Sequence, residues 1–260
     1  MTPAKVENQR RPMRSQPGAA LSQAREALIL RRLVARHQGK LPKAVIVRMW
    51  REMISALLQV EGPFVVAVQA PKGDTALWDL ARAHYGSRVK ITPVQDSGDV
   101  LNAVERGKAT VGILPMPRLG ERSPWWPQLL AKGESVPHVM GRLPFGDIGN
   151  VRDPKAEAMV VGRAPNEPTG DDRSWVALTL KTPRSRRAIL AAAKALQPDA
   201  HLCLDRTSKS REWLLDVAGF AGEVEGAIAA LGDALGAEAR VLGSYAAPLP
   251  AAALANDSSH

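Results

Sequence analysis

Cysteine is almost absent from this chain: Cys203 is the only one among 260 residues. A single thiol excludes an intramolecular disulfide framework and any multi-thiolate metal cage, and it fits a reducing compartment. The 5 histidines show no paired spacing, so a histidine-based zinc site has no support and no metal is expected. No apolar run approaches the roughly 20 residues that would span a bilayer. These shortages point to a cytoplasmic chain with no membrane partner. Aromatic residues are also scarce, at 4%. What remains is the balance of a folded protein, 45% hydrophobic and 23% charged, long enough for two or three structural units.

The distribution of charge says more than its total of +9. Residues 1–62 hold 12 Lys/Arg against 4 Glu, a local net charge of +8, whereas the other 198 residues are nearly neutral, with 23 basic and 22 acidic groups. Such a field attracts anions, either nucleic-acid phosphates or small polycarboxylates. A nucleic-acid module would bring aromatic platforms, and Trp50 is the only aromatic residue in that stretch. The balance favours a small anionic ligand and no nucleic acid.

Periodicity divides the chain into blocks. Residues 19–37 lack Gly and Pro and are rich in Ala, Leu and Arg, which predicts a helix ended by Gly39. Pro42 opens a second helix over about 42–60, with Ile46, Trp50, Met53, Ile54, Leu57 and Leu58 on one stripe and Arg48, Glu52, Ser55 and Gln59 on the wetter face. From Phe64 to Leu114 the pattern reads β-α-β-α-β, a parallel sheet with crossover helices. A Pro- and Gly-rich region follows to about Asp153, in which Trp125-Trp126 read as packing residues. Strands come next near His138–Leu143 and Ala158–Val161. Residues 174–245 read β-α-β-β-α-β, a ferredoxin-like order, and the Ala/Pro-rich tail from 247 is expected to fray.

In this order the blocks resemble the bifunctional chorismate mutase–prephenate dehydratase enzymes with their C-terminal ACT domain. The resemblance is carried by Arg25-Glu-Ala-Leu-Ile-Leu-Arg-Arg-Leu33, by Leu41-Pro-Lys…Arg48-Met-Trp-Arg-Glu-Met-Ile-Ser-Ala56…Glu61, by Ala70-Pro-Lys-Gly73, by Gly112-Ile-Leu-Pro115, and by Leu204-Asp-Arg-Thr207…Leu242-Gly-Ser-Tyr245. It implies a multidomain α and α/β architecture. Residues 1–18 would be a flexible basic terminus, 19–62 mutase-like helices, and 63–165 a single-lobe, periplasmic-binding-like parallel-sheet domain. Residues 173–247 would form an ACT domain and 248–260 a disordered tail.

The departures from the family pattern matter as much. After Pro115 the family continues Glu-Asn-Ser; this chain has Met116-Pro117-Arg118-Leu119. The family's Thr-Arg-Phe is replaced by Ala156-Glu157-Ala158, and the stretch that would build a second lobe is missing. Dehydration of prephenate is therefore not expected. The Gly-Ala-Leu effector motif of the ACT domain is replaced by Arg184–Ile189, so control by phenylalanine is not expected either.

The mutase-like helices keep more of their chemistry. Rearranging chorismate to prephenate needs no cofactor, only a site that holds a dicarboxylate compactly and stabilises charge on the ether oxygen. By resemblance Arg25 would grip a carboxylate, Glu26 would accept a substrate hydroxyl, and Glu61 would address the ether oxygen. Arg11 or Arg14 would stand in for a substrate-binding lysine, with Arg14 the candidate taken. The resemblance implies a homodimeric chorismate mutase. The competing reading is a non-catalytic binding or regulatory module for a small carboxylate or amino acid. In that case Arg25 and Glu26 are solvated helix residues and Glu61 is a frayed helix end. Arg31, Arg32 and Arg36 are expected to be solvated or to contact a partner.

Overall fold

The computed structural model describes residues 23–119, 121, 123–146, 149, 151–205 and 211–255, with the backbone alone at 61 and 202–205. Two helices open the fold, α1 (Gln23–Arg36) and α2 (Lys43–Glu61). Helix α1 buries Ala27, Leu30 and Val34, spaced as one helical face, against Val47 of α2 and Phe145. Removing side chains such as Leu30 and Val34 from water contributes about 1.5–3 kcal/mol each.

Helix α2 turns a different face inward from the one its sequence suggests. Val47, Arg51, Ile54, Ser55 and Leu58 are buried, whereas Met53 and Leu57 are each 51% exposed. Met49 and Val60 join them on the open side. Of the expected stripe, Ile54 and Leu58 are buried and Ile46 and Trp50 half-buried, while Ser55, expected on the wetter face, is buried beside the 47–51–54–58 line.

The α/β part begins with β1 (Val65–Gln69), α3 (Ala76–Tyr85), β2 (Lys90–Val94), α4 (Ser97–Glu105) and β3 (Val111–Pro115). Strand β1 lies between β2 and β3 and is parallel to both. Its apolar run is covered on both faces, as parallel strands with helical crossovers require. Asp96 caps α4 by accepting from the Asp99 N–H at 2.8 Å.

Beyond β3 the sheet departs from a purely parallel plan. Strand β4 (His138–Leu143) and β5 (Ala158–Gly162) form an antiparallel pair, with β5 lying against β3. The Pro- and Gly-rich stretch between β3 and β4 is packed rather than loose. Trp125 and Trp126 are 1% exposed, and the Trp125 Nε1–H donates to the Pro115 carbonyl at 2.9 Å.

The C-terminal block runs β6 (Asp172–Leu180), α5 (Arg186–Leu196), β7 (His201–Asp205), β8 (Glu212–Ala218), α6 (Ala221–Leu235) and β9 (Ala237–Ala246). Its strands lie in the order β9-β6-β8-β7, all antiparallel, with both helices packed on one core. That is a ferredoxin-like unit.

The two blocks do not keep separate sheets. Strand β4 lies parallel to β9, giving one nine-stranded sheet ordered β2-β1-β3-β5-β4-β9-β6-β8-β7. At this seam Gly243 has φ +135°, and a Cβ there would stand 2.1 Å from the Val139 carbonyl oxygen. Asn166 ties the seam by donating to the carbonyls of Val139 (2.9 Å) and Ser244 (2.5 Å). Trp125 stacks on Trp175 of β6 with centroids 5.7 Å apart, so one apolar core runs under both blocks.

The expectation of a frayed tail from 247 fails as far as Ala255. The Leu249 N–H donates to the Phe145 carbonyl at 2.7 Å. A short helix, α7 (Ala251–Leu254), brings Ala253 and Leu254 onto the α1 core. Residues 256–260 lie outside the described part. Among the described residues no helix is long and apolar enough to cross a membrane.

Candidate functional site

Glu26 and Arg51 meet between α1 and α2, with Oε1 3.0 Å from Nη1 and the side chains only 13% and 4% exposed. Arg51 also donates to the ring and, at 3.3 Å, to the carbonyl of His84 at the end of α3. Its guanidinium carbon stands 5.8 Å from the centre of the Phe145 ring, and that of Arg31 lies at the same distance. Beside His84, the Tyr85 hydroxyl accepts from Gln23 Nε2 at 2.7 Å. Three helices thus converge on one buried polar cluster.

Burial sets its electrostatics. Loss of solvent raises Glu26 and lowers Arg51, and the attraction between the two opposes both shifts. Burial and the Arg51 charge hold His84 well below the ordinary histidine range. An imidazole accepting from a guanidinium must be neutral, so geometry and electrostatics agree. Burial, with the Glu26 charge adding to it, raises Tyr85 beyond any working pH.

A pH prediction follows from His84. An unfolded imidazole takes its proton near pH 6.5, whereas the folded one resists until well below that. The unfolded state therefore binds more protons as pH falls below about 6.5, and the folded state loses up to about 1.4 kcal/mol per pH unit. Glu26 acts oppositely, but only between its raised pKa and 4.5. Urea unfolding from pH 7.5 to 5.5 should show this slope in the parent chain. His84→Gln, which keeps an acceptor and does not titrate, should flatten it. Equal slopes in the two proteins would show that His84 is solvated.

A cavity of about 310 Å³ opens above the cluster. Glu26 and Gln23 of α1, Ile54 and Leu58 of α2, and Tyr85 of α3 form one wall; Met140, Asn166 and Tyr245 stand on the sheet side. The Tyr245 hydroxyl donates to buried Asp216 at 2.6 Å, and Asp216 also accepts from Arg173 Nε at 2.6 Å. The cavity is thereby braced from the ferredoxin-like unit.

A separate crevice of about 340 Å³ lies beyond the C-terminal ends of β1 and β3, where the chain order switches sides of the sheet. Gln69, Asp74, Met116, Arg118, Lys155 and Glu157 line it. Both sequence departures from the dehydratase pattern, after Pro115 and before Met159, fall here. Glu157 is further committed to Arg142 at 2.8 Å.

The residues singled out from sequence separate in space. Glu26 faces the cavity, but it is ion-paired with Arg51 rather than free for a hydroxyl. Arg25, one step around α1, is exposed and does not line that cavity. Arg14 and the Glu61 side chain lie outside what the structure describes. Arg31 is not simply solvated. It donates to Thr169 Oγ1 (2.8 Å) and to the carbonyls of Asp171 and Ala247 (both 2.7 Å), fastening α1 to the ends of β6 and β9. Sequence reasoning overlooked Arg51, His84 and Tyr85. One signal was available: Arg51 lies four residues after Val47, so a cation falls on the apolar line of α2 and demands a buried partner.

Two curated relatives match part of this chain. The bifunctional chorismate mutase/prephenate dehydratase of Pseudomonas aeruginosa is 32% identical over 92 residues, 35% of this chain and 25% of that protein. Its Neisseria gonorrhoeae counterpart is 30% identical over 106 residues, 41% and 29% of the two chains. Among solved structures, the prephenate dehydratase of Streptococcus mutans superposes with a TM-score of 0.52 at 17% identity, over 71% of this chain and 98% of that one. The chain resembles the bifunctional chorismate mutase/prephenate dehydratases. Its mixed α/β fold is prephenate dehydratase-like, and the prephenate dehydratase of Arthrobacter aurescens, solved with L-Phe, agrees at a TM-score of 0.50 and 16% identity, over 75% and 95% of the chains. No protein-family model matches the chain. The alignments span only 25% and 29% of the length of these bifunctional relatives.

Proposed function

We propose that this chain is a non-catalytic relative of the bifunctional enzymes, a binding or regulatory module for a small carboxylate or amino acid. The observation that carries this reading is the cavity of about 310 Å³ enclosed between α1, α2 and the sheet. It is of a size for a small ligand and combines apolar walls with a few convergent polar groups. The crevice at the strand ends supports the same reading. It holds Met116 and Ala156 where a dehydratase would present its polar motifs. The ferredoxin-like unit reads as an ACT-like domain, and Tyr245 and Asp216 join it to the cavity.

Chorismate mutase is the second reading, and one observation favours it. The cavity lies between the first turn of α1, which carries Glu26, and the α2 line Ile54–Leu58, which runs on toward Glu61. Against it, Arg25 does not line the cavity and Glu26 is tied to Arg51.

Calorimetric titration of the full chain with L-phenylalanine, chorismate and prephenate, run beside assays of chorismate consumption and phenylpyruvate formation, tests the choice. The expected result is saturable binding, abolished by the cavity-filling Leu58→Trp, with neither substrate turned over. Chorismate turnover that is lost in Arg25→Ala would establish the mutase reading instead. Phenylpyruvate from prephenate would overturn the reading of the crevice.

A further inference from the structure

We infer that the outer face of α2, with the groove it forms against α3, docks an amphipathic helix whose flanks carry carboxylates. This surface shares no lining residue with the cavity or the crevice, so the inference stands independently of the binding-module reading.

The apolar face is the first argument. Among the described residues 8 large apolar side chains are exposed, and 4 of them, Met49, Met53, Leu57 and Val60, lie on α2. At 3.6 residues per turn these four fall within an arc of about 80° and run for about 16 Å. Their exposures range from 51% to 83%. A contiguous apolar stripe left in water marks an interaction surface, whereas scattered single side chains do not. Two of the four are methionines, whose flexible thioethers adapt to the side chains of a partner.

The groove is the second. Val45, Met49 and Met53 of α2 face Ala83 of α3 and its closing Gly86 across a space of about 530 Å³. Every lining residue belongs to α2, to α3 or to that glycine, so no strand edge is offered to an extended peptide. The i, i+4 repeat of the stripe instead matches the side chains of a helix laid along it.

Charge decides the occupant. Arg48 and Arg82 line the groove, both exposed, and neither makes a salt bridge among the described residues. Glu52, the acid in the lining, already accepts from the Ser87 N–H at 3.0 Å and from its hydroxyl at 3.1 Å. The surplus is positive, and it attracts a partner with carboxylates beside its apolar stripe. A second copy would bring two more arginines to the contact and another committed Glu52. Residues 1–22 would bring Lys5, Arg10, Arg11 and Arg14 against Glu7 alone.

The test titrates the full chain, by fluorescence anisotropy, with two labelled helical peptides that share a leucine stripe. Each has about 18 residues, enough to span the face of α2, and carries either Glu or Lys on both flanks of the stripe. The Glu peptide should bind at least about tenfold more tightly than the Lys peptide at low salt, and added salt should erode that advantage. The double variant Arg48→Gln/Arg82→Gln, at two exposed positions, should fold by circular dichroism and lose most of the preference. Met53→Glu should abolish binding of the Glu peptide. Equal binding of the two peptides, binding of neither, or a preference unchanged in the double variant overturns the inference. Sedimentation of the chain alone tests the rival occupant: a dimer that Met53→Glu dissociates gives the face to a second copy and overturns the acidic-helix assignment.

Discussion

Arg51→Met should lower the free energy of unfolding by about 3–5 kcal/mol, because it strands the Glu26 carboxylate in a site that water hardly reaches. Arg51 is 4% exposed and bonds Glu26 on α1 and His84 on α3, so one substitution loosens the joint where three helices meet. The double variant Glu26→Gln/Arg51→Met should recover most of the loss, since an apolar and neutral pair costs nothing in buried charge. Urea unfolding with matched m-values measures both. A single-variant loss under about 1 kcal/mol would place the pair in the range of exposed ion pairs and remove the cluster as a structural centre.

Gly243→Val should cost about 3 kcal/mol or more, through a mechanism unrelated to charge. The backbone at Gly243 has φ +135°, which side-chain-bearing residues rarely adopt. The Cβ would also fall 2.1 Å from the Val139 carbonyl oxygen and 2.6 Å from its nitrogen. Neither atom can retreat, because both belong to β4 at its contact with β9. The damage is confined to the seam between the blocks, so the single unfolding transition expected of a continuous sheet should split into two. Calorimetry and limited proteolysis around 163–171 report that split. An unaltered single transition with less than about 1 kcal/mol lost would show that the two blocks hold together without this approach.

Much of the local structure was legible because it is written in short-range chemistry. The β-α-β-α-β run from Phe64 to Leu114 and the ferredoxin-like order over 174–245 both follow from the alternation of periods along the chain. The residues on the polar cluster were less legible. Glu26 was selected for a catalytic role, but its partner Arg51 lies 25 positions away on another helix, and no local pattern pairs them. Arg31 likewise looks like a solvated helix residue until the strand ends of another block come within reach of it.

By itself, the sequence determined most of the helices and strands and the concentration of positive charge at the amino end, since each is a property of neighbouring residues. The tertiary structure decided which face of α2 is buried, that the tail packs on α1 through Leu249 and Leu254, and that the two blocks share one sheet. These outcomes depend on which distant surfaces meet, because burial and pairing are set by the sum of contacts around a side chain rather than by its neighbours in the chain.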